Sequence, residues 1–167
     1  MIAAILAGGR SRRMGTDKAL VPFGDGPLIA RPIAAARAAG LEPIVVAKRE
    51  LDVGVPVWLD RYDTSHPLAG VVTALEHGPV VAVACDQPFV TPELLAALAA
   101  HDGFAIPKGE PFPGRYEPSE ILVQALREEA PMRATLAKLH AVELDVEPRL
   151  VTSLNTPEEV ARWTSPP

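Results

Sequence analysis

A chain of 167 residues, 48% of them hydrophobic, has the length of one compact domain over residues 1–167, which would bury roughly 70% of the surface its unfolded form exposes. Its formal net charge of −5 argues against a nucleic-acid or anionic-membrane partner, and no apolar run approaches the ~18 residues a membrane span needs. The single cysteine, Cys85, excludes an internal disulfide, and no Cys/His cluster has zinc spacing; with no basic segment before the first apolar run and no secretory-length run, the expected location is the cytoplasm.

In chain order, the first predicted element is the apolar strand IAAIL over residues 2–6. An alanine-rich helix is expected within 28–40, a strand over 43–47 and another over 55–58. Residues 68–78 predict a helix that stops near Gly78, and 80–85 a strand buried on both faces. The next helix, within 91–103, carries Thr91 as N-cap, Pro92 in its first turn and Gly103 past its end. Residues 106–119 are dense in proline and glycine and are expected to be a long loop. Helices over 118–129 and 132–139, a strand near 141–146 and a final helix from Asn155-Thr156-Pro157-Glu158-Glu159 complete the chain. Strand and helix in repetition imply βαβ units, hence an α/β fold: a three-layer αβα, Rossmann-like, mainly parallel sheet.

Function in such a sheet belongs at the carboxyl ends of the strands. Leu6, Ala7, Gly8 and Gly9 follow the first strand, where glycines let backbone N–H groups approach an anion. Arg10, Arg12, Arg13 and Lys18 then supply charge for a polyphosphate, although the glycines could merely turn the chain and the arginines be solvated. The spacing is neither that of a P-loop nor G-x-G-x-x-G.

Asp86 directly follows the strand over 80–85, where an unpaired carboxylate would be costly to bury. It suits Mg²⁺, which takes hard oxygen ligands and is held by one or two carboxylates plus substrate phosphates; alone, it could instead accept backbone bonds in the turn formed by Gln87 and Pro88. Beside a phosphate loop the metal reading is favoured. Asp60 also lies just past a strand, and its carboxylate could meet the paired donors of guanine's Watson–Crick edge or a ribose hydroxyl; otherwise it would pair with Arg61 or cap the next helix. His66 reads as loop or rim, and no Ser/His/Asp or Cys/His arrangement stands out, so positioning and charge neutralisation carry the chemistry.

The stretch LAGGRSRRMGTDKAL resembles the nucleotidylyltransferase signature, and its LAGG and DKAL form is most similar to the MobA family of molybdenum cofactor guanylyltransferases. HPLAGVVTAL, CDQPFVTPELLAAL and SLNTPEEVARW match that family's later motifs in order. The resemblance implies a fold of the nucleotide-diphospho-sugar transferase type, Mg²⁺ dependence, and transfer of GMP from GTP to molybdopterin with release of pyrophosphate. It implies nucleotide contacts by Leu6, Ala7, Gly8 and Gly9, phosphate contacts by Lys18 and Arg13, Asp60 on the nucleoside side, Asp86 on Mg²⁺, and Asn155 facing the metal or the acceptor. Other molybdenum cofactor biosynthesis proteins or apo-molybdoenzymes are the implied partners. A cytidylyl-transferring relative or another small nucleotidylyltransferase stays open, as does a non-catalytic nucleotide-binding module that delivers cofactor.

Overall fold

The computed structural model describes residues 1–8 and 17–164. Strand β1 (Ile2–Leu6) leads, after a 3-10 turn (Lys18–Leu20), into the small hairpin β2 (Pro22–Phe23) and β3 (Gly26–Pro27). Helix α1 (Ala30–Ala38), β4 (Glu42–Ala47), β5 (Val57–Leu59), α2 (Leu68–Leu75), β6 (Val80–Ala84) and α3 (Pro92–Ala100) follow. Strands β7 (Ala105–Pro107) and β8 (Gly114–Tyr116), helices α4 (Glu120–Arg127) and α5 (Met132–Leu139), β9 (Val142–Leu144), a 3-10 turn (Pro148–Val151) and α6 (Pro157–Thr164) complete the fold.

Among the described residues the main sheet has seven strands in the order β5-β4-β1-β6-β8-β7-β9. Strand β1 is central and parallel to both neighbours, with Leu6 beside Val46 of β4 and Ala84 of β6. It reads as an uninterrupted apolar run because each face meets a helical layer. Ala3 and Ile5, with Val45, Val81 and Val83, pack on Ile33 of α1 and Leu95 of α3. Ala4, Val46, Val80 and Ala82 pack on Val71 of α2 and Leu122 of α4. Helix α2 sits especially close: a Cβ on Gly70 would lie 3.0 Å from Cδ2 of Leu6. The three-layer α/β arrangement expected from the sequence is present.

The boundaries follow their caps. Thr91 accepts from the Leu94 N–H at 3.3 Å and opens α3, as expected. At α6 the capping residue is Thr156, whose Oγ1 accepts from the Glu159 N–H while Glu159 accepts from the Thr156 N–H, each at 3.2 Å.

The expected loop over 106–119 is corrected in part. Strand β8 emerges from it and pairs antiparallel with both β6 and β7, so the sheet is mixed on that side. Tyr116 is fully buried there and donates its hydroxyl to the Pro111 carbonyl at 2.6 Å. Gly114 is required at the turn, since a Cβ would come within 2.7 Å of that same carbonyl oxygen. A three-residue strand flanked by prolines is too short to display period-two alternation.

Candidate active site

The chain leaves β1 toward β4 and β5 on one side and later returns as β6 on the other, so a crevice opens at the carboxyl ends of the central strands. Gly8 follows β1, Asp60 follows β5, and Asp86 follows β6 after Cys85. The ladder carries on briefly beyond these ends: Ala7 N–H donates to Val46, Asp60 N–H to Ala47, and Cys85 N–H to Leu6. The three functional segments are therefore held at one level of the sheet.

On one side of the crevice Lys18, Asp86 and Asn155 come together. Asp17 caps the 3-10 turn by accepting from the Ala19 N–H at 3.2 Å, and Lys18 is the first residue of that turn. Its ammonium donates to Oδ2 of Asp86 and, at 2.7 Å, to Oδ1 of Asn155. The Lys18 and Asp86 side chains are only 16% and 14% exposed, so this ion pair is shielded from much of the solvent screening a surface pair meets. Asn155 is oriented by its own bonds: Nδ2 donates to the Ser153 carbonyl at 3.3 Å and its backbone N–H to Glu159.

The turn bearing Asp86 is pinned by Gln87. This buried amide accepts from the Ala84 N–H at 3.2 Å and donates to the carbonyls of Phe112, at 2.7 Å, and Val151, at 3.0 Å. One side chain thus ties β6 to the loop before β8 and to the 3-10 turn before Asn155. Cys85 beside it is buried, and its thiol is pushed up to about 12 by that burial and by Asp86, which suits an inert packing residue.

On the other side is a cleft of about 410 Å³ whose lining includes Ala7, Gly8, Asp17, Lys48, Arg49 and Asp60. The side chain of Asp60 is nearly inaccessible. Its Oδ1 accepts from the Tyr62 N–H at 3.0 Å and the Thr73 hydroxyl at 3.2 Å, and its Oδ2 lies 2.8 Å from Nζ of Lys48. The alternative pairing of Asp60 with Arg61 is not formed; Arg61 bonds Glu76 at 3.1 Å. Oδ1 of Asp60 thus has two protein partners and Oδ2 one. Arg49 bonds Asp17 at 3.0 Å at the cleft's edge. Sequence reasoning missed Lys48 and Arg49 because two cations after a strand look like an ordinary solvated turn.

His66 lies in the loop before α2. Its Nδ1 accepts from the Leu68 N–H at 3.2 Å, so Nε2 carries the proton and donates to the Ala130 carbonyl at 2.9 Å. Gly9, Arg10, Arg12 and Arg13 lie outside the described residues.

Oδ1 of Asp86 is buried and has no hydrogen-bond partner among the described residues. An orphaned carboxylate oxygen fits a divalent cation, because burying it unpaired is otherwise costly; the Lys18 ammonium, which occupies Oδ2 and the Asn155 amide oxygen, is no metal ligand. No group of three or more His, Cys, Asp or Glu among the described residues could hold an ion, so such a cation would be held by Asp86 together with substrate oxygens.

A parallel α/β crevice with a glycine-ended first strand, a lysine reaching a carboxylate after the neighbouring strand, and a cleft lined by Gly8 and Asp60 together fit a nucleotidyltransferase. Residues 3–144 match the MobA-like NTP transferase domain, and the chain belongs to that family. The molybdenum cofactor guanylyltransferase of Rhodobacter capsulatus is 34% identical over 95% of this chain and 92% of its own. Among solved structures, molybdopterin-guanine dinucleotide biosynthesis protein A from Archaeoglobus fulgidus superposes with a TM-score of 0.81 at 26% identity, covering 98% of this chain and 97% of that one. A Mycobacterium tuberculosis H37Rv protein solved in complex with manganese has the same fold, with a TM-score of 0.68 and 20% identity over 98% and 96% of the two chains.

Proposed function

We propose that this chain is a molybdenum cofactor guanylyltransferase, acting as one cytoplasmic domain that transfers GMP from GTP to molybdopterin. An oxygen of the acceptor's phosphate attacks the α-phosphorus of GTP. The new P–O bond forms as the bond to the oxygen bridging the α- and β-phosphorus breaks, and pyrophosphate leaves with that electron pair. The observation that carries the reading is the convergence of Lys18, Asp86 and Asn155 at the carboxyl ends of the same sheet that bears the cleft lined by Gly8 and Asp60. Two polyanions must meet in this reaction, so charge neutralisation is the main requirement and the anionic acceptor needs no strong general base.

In this reading the triphosphate lies over the backbone of Leu6, Ala7, Gly8 and Gly9, and Lys18 and Arg13 meet its phosphates. Asp60 stands on the nucleoside side. Mg²⁺, held through Asp86, supplies further neutralisation of the phosphate oxygens when bound. Asn155 keeps Lys18 and Asp86 in register and faces the acceptor. The guanylyl assignment is supported by the full-length likeness to the Rhodobacter capsulatus enzyme. Other molybdenum cofactor biosynthesis proteins or apo-molybdoenzymes would receive the product.

The test is to incubate the protein with Mg²⁺, molybdopterin and each nucleoside triphosphate in turn and to follow pyrophosphate release. Turnover with GTP alone is expected. Turnover with CTP instead would move the activity to the cytidylyl branch, and GTP binding without turnover would indicate a non-catalytic delivery module.

A further inference from the structure

The ion pair at the floor of the nucleoside cleft is lopsided. The Asp60 side chain is 2% exposed, whereas that of Lys48 is 30% exposed. What a bound base meets is therefore the ammonium, not the carboxylate. Both lone-pair positions of Asp60 Oδ1 are engaged, by the Tyr62 N–H and the Thr73 hydroxyl, and Oδ2 faces Lys48. Among the described residues Lys48 donates to Asp60 and to the Tyr62 carbonyl, which leaves one of its three N–H donors for the cleft. Gly8 keeps the approach open: even a single Cβ there would lie 3.4 Å from Oδ2 of Asp60 and 3.9 Å from Cε of Lys48.

We propose that Lys48 is the base-reading residue of this cleft. It donates to a carbonyl oxygen of the base, O6 in guanine, while Asp60 is a positioning residue that holds the ammonium in place. The inference rests on the guanylyl-transfer reading and specifies how that reading is achieved. An ammonium can only donate, so a base with an amino group at that position meets donor with donor and is rejected. With Asp60 engaged by the protein, the 2-amino group of guanine goes unread. Among purine triphosphates, those that fit are thus the 6-oxopurines, GTP and ITP alike, and ATP is excluded.

Equilibrium binding of GTP, ITP, ATP and CTP to the full chain with Mg²⁺ tests this, on the wild type and on Lys48→Met and Lys48→Arg. A charge-assisted hydrogen bond corresponds to about a 10- to 100-fold effect on binding. For the wild type, ITP is expected within about threefold of GTP and ATP at least about tenfold weaker. Lys48→Met should weaken GTP and ITP by about 10-fold or more, leave ATP within about threefold, and so erase the GTP-over-ATP preference. Lys48→Arg, which keeps a donor, should retain part of that preference.

ITP binding about tenfold or more below GTP in the wild type would overturn the proposal, because the 2-amino group would then be recognised. That arm needs no variant and stands even if Lys48→Met does not fold. An unchanged GTP-to-ATP ratio in a folded Lys48→Met protein would overturn it too. Wild-type preference for CTP over GTP would instead refute the guanylyl reading; Lys48 would then be upheld as a carbonyl reader only by a matching loss of CTP binding in Lys48→Met, and rejected without one.

Discussion

The backbone N–H of Leu154 donates to the carbonyl oxygen of Asp86 at 2.9 Å, fastening the segment before α6 to the turn after β6. Leu154 is 1% exposed and packs with Phe23, Leu28 and Val160, so a small satellite core decides where Asn155 stands. The hairpin β2-β3 and helix α6 thus serve the site by position rather than by contact with the reacting atoms.

Two neighbouring substitutions should separate these roles. Leu154→Ala removes buried volume and should cost about 2–4 kcal/mol, read as a lower midpoint in chemical unfolding, with turnover falling as the segment loosens. Asn155→Ala removes an exposed side chain and should change stability by less than about 1 kcal/mol while reducing turnover about tenfold or more. Equal turnover losses that track only the fraction folded would show that Asn155 has no role at the site.

Asp86→Asn keeps the shape of the side chain and removes its charge. Oδ1 of Asp86 is already buried without a partner among the described residues, a position that a bound cation would satisfy. The variant should lose at least about 100-fold in metal-dependent turnover while remaining folded by circular dichroism. Titration with Mn²⁺ in the presence of GTP, followed by electron paramagnetic resonance, should show weakened metal binding. Near-normal metal affinity would remove Asp86 from the cation site.

Gln87 has no charge and touches no expected substrate group, yet three segments meet on its amide. Gln87→Leu should leave the Ala84 N–H and the Phe112 and Val151 carbonyls short of partners, costing about 2–4 kcal/mol. Proteolysis should then become faster in the loop before β8 and in the 3-10 turn at Pro148–Val151. Faster cleavage confined to other segments would contradict this role.

Much of this architecture is legible in the chain because the informative signals are local. Strand β1 coincides with its apolar run, and α5 and the Thr91 cap fall where periodicity and capping chemistry put them. Asp86, Asp60 and Lys18 are also local signals, each an ionisable residue just beyond an apolar segment or a glycine turn. What stayed hidden is pairwise and distant. Nothing near Gly114-Arg115-Tyr116 announces a strand, because β8 exists only through its pairing with β6 and β7. Nothing near Lys48 says that it will meet Asp60, since that contact depends on β4 and β5 lying side by side. Fold class follows from repeated local patterns, whereas the chemistry of the base pocket follows from which strand ends become neighbours.

Arg115 sets the last prediction. It is 7% exposed on β8 and donates to the Ala99 carbonyl at 2.7 Å and to Oε1 of Glu117 at 2.8 Å. Glu117 also accepts from the Gly103 N–H at 3.1 Å, so one carboxylate joins β8 to the end of α3. The hydrogen bonds from Arg115 and from Gly103 hold its carboxyl below the usual glutamate range. A group whose folded-state pKa is depressed adds stability above its unfolded value of about 4.3, and that stability is lost as pH falls through the folded value. Because the Glu117 side chain is 34% exposed, the contribution should be modest, about 1 kcal/mol or less. Thermal unfolding followed from about pH 7 to about pH 3 should show Glu117→Gln less stable than the wild type at the upper end, with the two curves converging toward the lower end. A constant offset across the whole range would mean that the hydrogen bonds matter and the ionisation of Glu117 does not.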